Sequence, residues 1–365
     1  MPATDVTGAS SSIQLNSVRR SGLAVKPQGP AEPDRVRAAK SPLDCAIRLH
    51  NYQKVVATAY FSFFVALPLV FPRAAMLRAA VTPQYTHIDA SGQSVATVGP
   101  RDAWLVASFM VLVIWLRALF MNAVLVHGKR LAKDAKSLLR LAEQGWCLVH
   151  YGSMAVIGSY LLHKSPYGWS PKQMWDGYPH IYINTSIKCY YLYALAYWIT
   201  QIYTIHAEER RKDHDQMLFH HIITCFLVAG SYMYFYTRIG HLIMIMMDGV
   251  DVLLSFAKCL KYLGYIEVCD YAFIAFLVGW VFARHGLYLH QLWYAYARAP
   301  AQLAANCISS RGSLAGCYNP TAHLVFIGLL AILQIITLFW LWMIIKVVIR
   351  VFKGAGAADT RSDSE

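Results

Sequence analysis

Polar and apolar residues separate into long blocks along this chain. Eight apolar windows stand out, at residues 54–71, 103–126, 146–162, 187–205, 217–236, 242–263, 266–294 and 323–348. Each is about the length that a helix rising 1.5 Å per residue needs to cross a hydrocarbon core roughly 30 Å thick. Backbone polar groups in lipid need partners within their own segment, so the windows predict helices. The ten-residue alternating segments of a membrane β-barrel are absent. The expectation is an all-α, polytopic membrane protein of about eight transmembrane helices. The sixth window, which holds two aspartates, has the weakest hydropathy signal.

Composition agrees. Of 365 residues, 57% are hydrophobic and only 15% charged, against about a quarter charged in soluble domains. The first 45 residues are polar, rich in Ser, Pro, Ala and Arg, and have no apolar core of a cleaved signal. The chain therefore divides into a disordered tail (1–50), two spans with a basic loop (51–137), a larger helical domain (138–353) and a short polar tail (354–365). The net charge of +13 invites a nucleic-acid reading, but its distribution argues against one. With the N-terminus in the cytosol and eight alternating spans, 22 of the 33 Lys and Arg residues fall on the cytosolic side. That is the positive-inside bias, and it puts both termini in the cytosol. The 295–321 loop then lies on the opposite side with Cys307 and Cys317, and a pair in an oxidising compartment predicts a disulfide. The sequon at Asn184 sits almost at the start of a span. In the C-terminal tail, Thr360 and Ser362 each have an acidic residue three positions on, Asp363 and Glu365. They are candidate phosphorylation sites beside the basic Lys346, Arg350 and Lys353, where phosphate would change the local charge most.

Charged residues inside spans cost about 2.5–3.5 kcal/mol each even on lenient scales, so their positions point to function. His220 and His221 sit about one turn inside the fifth window, and Asp248 and Asp251 near the middle of the sixth. Asp248, Asp251, Ser255 and Lys258 follow at i, i+3, i+7 and i+10, one polar stripe on an apolar helix. The fifth and sixth windows are joined around Arg238 and Gly240, which predicts an adjacent antiparallel hairpin. The aspartates would approach the histidines across it, with a depth offset of about 10 Å at 1.5 Å per residue. Thr224 shares a face with each histidine, and the two imidazoles lie about 100° apart, so one is expected in the cavity and the other in support. An imidazole can serve as base, acid or acyl acceptor, and a nearby aspartate would fix its tautomer. A structural polar cluster joining two helices is the plainer alternative. A zinc site is a third, but no histidines pair at i, i+4 within a span, so no metal is expected. Arg284-His285 and Arg117 are further polar residues within spans. They read as partners of the aspartates or as snorkelling groups.

At these residues the chain resembles a known family. The charged Arg211-Lys212-Asp213, the double histidine, Ser231-Tyr232, Arg238-Ile239-Gly240, Asp248-Gly249-Val250-Asp251 and Ala257-Lys258 stand in the order of the Lag1 motif. That motif belongs to ceramide synthases, within the TRAM–Lag1–CLN8 (TLC) domain family. The similarity covers about 138–353, including the aromatic 169–179 stretch and the closing apolar helix. Met247-Asp248 and the Arg284-His285 pair are more like the fungal branch, and the homeobox-like insertion of many animal members is absent. The resemblance implies a TLC-type helical barrel in the endoplasmic reticulum membrane. It also implies transfer of a fatty acyl group from acyl-CoA to the amine of a sphingoid base, giving (dihydro)ceramide, with no cofactor beyond the co-substrate. In that reading His220 or His221 is base or acyl acceptor, and Asp248 and Asp251 orient the imidazole and hold the amine. Arg210, Arg211 and Lys212 would meet the CoA phosphates at the cytosolic mouth. Thr224, Arg238, Ser255, Lys258, Arg284 and His285 would complete the substrate site. The 295–321 loop would set acyl-chain length. Membrane lipid, a homo- or heterodimer partner or a small accessory subunit are the further partners implied, and nucleic acid is not among them. The rival from another class is a non-catalytic TLC-domain lipid-binding or translocon-associated protein, and a metal-dependent lipid hydrolase is the second rival.

Overall fold

The computed structural model describes residues 42–71, 75–208, 213–309 and 318–352. In chain order these form α1 (Pro42–Val70), α2 (Ala75–Val81), β1 (Thr86–Ile88), β2 (Ser94–Ala96), α3 (Asp102–His127), α4 (Ala135–Lys164) and α5 (Pro171–Trp175). Then come β3 (Ile183–Asn184), α6 (Thr185–Ala207), α7 (His214–Met233), α8 (Thr237–Leu263) and α9 (Ile266–Trp280). A π-helical turn (Val281–Leu287) carries α9 into α10 (Tyr288–Ala297), followed by α11 (Ala299–Ser309) and α12 (Pro320–Phe352). Each of the eight apolar windows falls largely within this helical set.

Among the described residues, four helical stretches are long and apolar enough to cross a membrane: Asp102–His127, Thr237–Leu263, Ile266–Ala297 and Pro320–Arg350. The chain is an all-α membrane protein in this sense. The sixth window, expected to be the weakest, is α8, which belongs to this set. α1, α4, α6 and α7 do not. α6 carries Tyr190, Tyr191, Tyr193, Tyr197 and Trp198. Transfer scales disagree most over such residues, which are apolar in body and polar at the tip.

Local chemistry explains the helix ends. Asp134 caps α4 by accepting the Ser137 N–H at 2.8 Å, and Asn184 caps α6 through the Ser186 N–H at 2.9 Å. Gly264, at φ 89°, ends α8 in the left-handed conformation. Only Gly264 and Tyr265 separate α8 from α9.

The helices pack in a definite order. α1 lies against α3, and α3 against α4 and α6. α4 runs along α8, α8 along α9, α10 against α12, α12 against α7, and α7 against α6. Gly158 permits the close α4–α8 approach, since a Cβ there would stand 2.8 Å from Ile245 Cγ1 and 2.7 Å from the Tyr190 hydroxyl. The expected α7–α8 hairpin is corrected on this point. The two helices are joined by three residues, Tyr234, Phe235 and Tyr236, but touch little beyond that link. The link sends α8 away from α7, with Phe235 at φ 61° and the Tyr236 N–H returning to Ser231 O at 2.8 Å. Arg238 and Gly240 lie in the first turn of α8, not in the link.

A short antiparallel sheet, ordered β1-β2-β3, closes the end of the bundle where α3 begins. Its anchor is Lys188, fully buried. The ammonium meets Asp102 Oδ1 at 2.7 Å and donates to Gln84 O and Thr97 O. Tyr232 donates to Asp102 Oδ2 at 2.7 Å. A buried ion pair with these extra bonds avoids the penalty of an unsatisfied one.

Candidate active site

Two cavities lie end to end among α4, α6, α7, α8, the π turn and α12. The first is the more polar. Gln144, Cys147 and Tyr151 of α4 line it, with Asp213, His221, Ser255 and Lys258. The second is apolar, lined by Leu227, Val228, Ile243, Met244, Leu330 and Leu333, with Thr224 and Asp248 near its inner end. Both cavities are lined by the same four residues: Trp198, His220, Asp251 and Arg284. That shared set is the waist of the site.

The polar stripe on α8 follows this order. Asp248 faces the apolar cavity, Asp251 the waist, and Ser255 and Lys258 the polar cavity. The expected depth offset between histidines and aspartates does not hold. His220 lies 13 residues before the end of α7 and Asp251 14 residues after the start of α8, so the two stand level. The residues meet across a cavity, not across a hairpin interface.

Both histidines reach the polar cavity, which differs from the expectation that one would point away; His220 alone of the pair also lines the apolar one. The His220 ring lies 5.0 Å from that of Trp340 and 5.6 Å from that of Trp198. The His221 ring lies 5.4 Å from Trp198. Nδ1 of each has no hydrogen-bond partner among the described residues. Among the described residues no aspartate is hydrogen-bonded to either imidazole. Asp251 instead pairs with Arg284 Nη2 at 2.6 Å. Thr224 donates to His220 O at 2.8 Å, within its own helix.

The π turn explains how Arg284 enters the site. A π-helical segment inserts one residue into the α-helical count and is a frequent mark of functional sites. The Arg284 guanidinium lies 4.1 Å above the Trp280 ring and donates to Met247 O at 3.3 Å as well as to Asp251. Its Nε has no partner among the described residues. His285 does not join the site. Trp280 Nε1 donates to its Nε2 at 3.2 Å, and Gln334 Nε2 lies 2.8 Å from its Nδ1. It ties the π turn to α12.

Three further expectations land elsewhere. Arg117 pairs with Glu208 of the α6 C-cap, not with an aspartate. Arg238 donates to Gln173 O at 2.8 Å and Asp176 O at 3.1 Å, about 15 Å along α8 from Asp248 at 1.5 Å per residue. The described part of the 295–321 loop, chiefly α11, lines neither cavity. The far end of the apolar cavity is closed by Tyr191, Ser231 and Gly240. Tyr191 and Ser231 hydroxyls lie 2.9 Å apart, and a Cβ on Gly240 would fall 1.8 Å from the Tyr191 oxygen. Cys307 is disulfide-bonded. Cys317, Arg210, Arg211, Lys212, Thr360 and Ser362 lie outside the described residues.

Charge and spacing did not reveal Trp198, Tyr151, Gln144 and Trp340. Tyr151 and Trp198 sit on helices packed around α7 and α8, and only knowledge of that packing selects them among many aromatic residues.

The TLC domain (TRAM, Lag1, CLN8) matches residues 140–346 of this chain. The chain belongs to the TLC-domain family. The matched segment contains every residue named above as lining the two cavities. A sphingosine N-acyltransferase-like protein of Alternaria alternata is 39% identical over 296 residues, 74% of this chain and 68% of that one. The sphingosine N-acyltransferase lag1 of Schizosaccharomyces pombe is 36% identical over 272 residues, 73% and 68% of the two chains. A ceramide synthase of Gibberella moniliformis is 34% identical over 294 residues, 74% and 69%.

Proposed function

We propose that this TLC-domain protein is a sphingosine N-acyltransferase, a ceramide synthase. It transfers a fatty acyl group from acyl-CoA to the amine of a sphingoid base. The observation that carries the reading is the junction of a polar and an apolar cavity at His220, Asp251, Arg284 and Trp198. An acyl-CoA has the same division: a polar carrier, an alkyl chain, and the reactive thioester between them. The alkyl chain occupies the apolar cavity and the carrier leaves through the polar one, past Ser255 and Lys258, and Arg210, Arg211 and Lys212 are the partners offered to its phosphates. The thioester carbonyl then sits at the waist.

The chemistry follows. The amine must lose a proton before its lone pair can attack, and His220, with a free Nδ1, is placed to take it. Nitrogen bonds to the carbonyl carbon, the oxyanion is met by the Arg284 guanidinium, and the carbon–sulfur bond breaks. The nitrogen gives its remaining extra proton to the departing CoA thiolate, and the imidazolium releases the first proton to water, one proton for each amide formed. Alternatively the imidazole accepts the acyl group first and the amine takes it in a second step. Asp248 forms no hydrogen bond among the described residues and stands at the inner side of the waist, where it can hold the ammonium of the incoming base. Asp251 keeps Arg284 in place.

The finer architecture belongs to the same reading. All eight long helical stretches cross the endoplasmic reticulum membrane with both termini in the cytosol. Those of α4, α6, α7, α8, α9–α10 and α12 form the TLC barrel around the two cavities. The test is direct. Purified protein with labelled sphinganine and acyl-CoA should yield amide and free CoA in equal amounts. Release of fatty acid without amide, or no consumption of acyl-CoA, overturns the proposal.

A further inference from the structure

A large groove lies outside the site. It runs between α3, α4 and α6, with a volume of about 950 Å³. Its lining is apolar and aromatic, from Phe120 and Trp146 at one end to Tyr160 and Leu161 at the other. Along α4 this spans residues 146–161, about 22 Å at 1.5 Å per residue. That exceeds one leaflet of a hydrocarbon core of roughly 30 Å. Its rim residues Val149, Ile157 and Tyr160 are exposed, so the groove opens sideways.

The groove does not end blindly. Tyr160, Leu161 and Ser186 also line a second, polar pocket at the end of the bundle capped by the small sheet. Lys164 and Arg238 bring charge to this pocket, and His180, Tyr182, Asn184 and Thr237 bring polar groups. No carboxylate lines it, and neither cation forms an ion pair among the described residues. Arg238 is held by Gln173 O and Asp176 O, with its guanidinium 5.3 Å above the Tyr167 ring. The Lys164 ammonium lies 5.9 Å from the Tyr160 ring, where groove and pocket meet. His180, outside the membrane-spanning helices, is held at a pKa of about 4 by burial and by Arg238, so at neutral pH it adds hydrogen bonding without charge.

We propose that groove and pocket together bind one anionic phospholipid, its phosphate between Lys164 and Arg238 and one acyl chain along α4. Charge selects the occupant. A sphingoid base carries an ammonium and is repelled by the two cations, while a diacylglycerol or a ceramide offers them no counter-charge beyond that of the nearby Asp176. A phosphate accepts charge-assisted bonds from both and from the neighbouring hydroxyl and amide groups. This site is separate from the acyl-transfer waist, and its test does not depend on catalysis.

The full chain would be purified in detergent, stripped of lipid and titrated with phosphatidylinositol, phosphatidylcholine, diacylglycerol or sphinganine, with occupancy read by native mass spectrometry. One phosphatidylinositol per chain should be retained, at least tenfold more strongly than the other three. Lys164→Gln should lower retention at least tenfold by removing a phosphate partner. Ser153→Trp should do so by filling the groove. Both variants should remain monodisperse and keep amide-forming turnover. A phosphatidylinositol carrying a photoreactive acyl chain should crosslink to the 146–161 stretch. Equal retention of phosphatidylcholine or diacylglycerol, retention unchanged in both variants, or crosslinks confined to other helices would overturn the proposal.

Discussion

If the apolar cavity holds the acyl chain, its end wall sets chain length, and Val228→Phe moves that wall. Val228 lies eight residues beyond His220 on α7, about 12 Å from the waist, and Ser231 lies eleven beyond, about 16 Å. A staggered chain with bonds of about 1.5 Å advances about 1.25 Å per carbon, so the distance from waist to end wall matches about 13 carbons laid straight, and the cavity of about 50 Å³ must widen to admit them. A ring at position 228 removes about three of them. Burying a methylene stabilises by about 0.8 kcal/mol. Two methylenes denied a place therefore cost about 1.6 kcal/mol, about a 15-fold change in the ratio of neighbouring even-numbered products. The assay is a competition in membranes: labelled sphinganine, an equimolar series of acyl-CoAs, and product chain lengths read by mass spectrometry. Val228→Phe should shift the profile to shorter chains by at least two carbons. Gln302→Ala, on α11, should leave it in place, because α11 does not line the cavity. An active Val228→Phe enzyme with an unchanged profile would refute the slot assignment. A shift in Gln302→Ala alone would return chain selection to the 295–321 loop.

Single His220→Ala and His221→Ala changes should each lower N-acylation by about 100-fold or more, the usual worth of a positioned acid–base group; activity in membranes containing equal amounts of protein is the measure. Asp251→Asn should destabilise the chain by about 3–5 kcal/mol, since it leaves the Arg284 charge buried and unpaired. Adding Arg284→Gln should recover part of the lost thermal stability but none of the turnover. Dialysis against a strong chelator should leave activity within twofold, and loss restored by added zinc would contradict the proposed chemistry. His180 gives a pH dependence. Its folded pKa of about 4 lies below the ordinary 6.5, so the unfolded chain takes up a proton that the folded one refuses. Stability is therefore full above about pH 6.5 and falls by about 2 kcal/mol at pH 5. Between neutral pH and pH 5 the thermal melt of wild type should fall further than that of His180→Gln, and parallel curves would show that this group is not responsible.

What could be read in advance depended on range along the chain. Helix positions follow from local apolar runs, and the eight windows coincide with helices because nothing distant is needed to place them. The Asp248–Lys258 stripe was equally legible, as its spacing belongs to one helix. Partnership between helices was not. A three-residue link brings the ends of α7 and α8 together without dictating that their lengths pack, and α4, distant in sequence, takes the face of α8 instead. Arg284 was visible as a charged residue in an apolar run. Its bond to Asp251 depended on a π turn that apolar periodicity does not announce. Trp198 and Tyr151 were hidden among many aromatic residues whose roles only packing separates.

That π turn has a consequence for which changes the chain can accept. The 266–297 stretch must meet α12 at two points, one on either side of the turn. Trp280 stands against Trp340 with ring centroids 6.4 Å apart, and Tyr288 donates to Leu330 O at 2.7 Å. One surplus residue lies between them. Deleting any single residue from 281–287 would remove that surplus and let the coil relax to 3.6 residues per turn, leaving the flanking helices near their present alignment but shifting the residues of the turn itself, Arg284 among them. Trp280 and Tyr288 could keep their partners, but Asp251 would lose its guanidinium. Exchanges of Val281 or Phe282, whose side chains are exposed, would leave the alignment intact. In this stretch the number of residues is under stricter constraint than their identity, so insertions and deletions should be excluded where substitutions are tolerated.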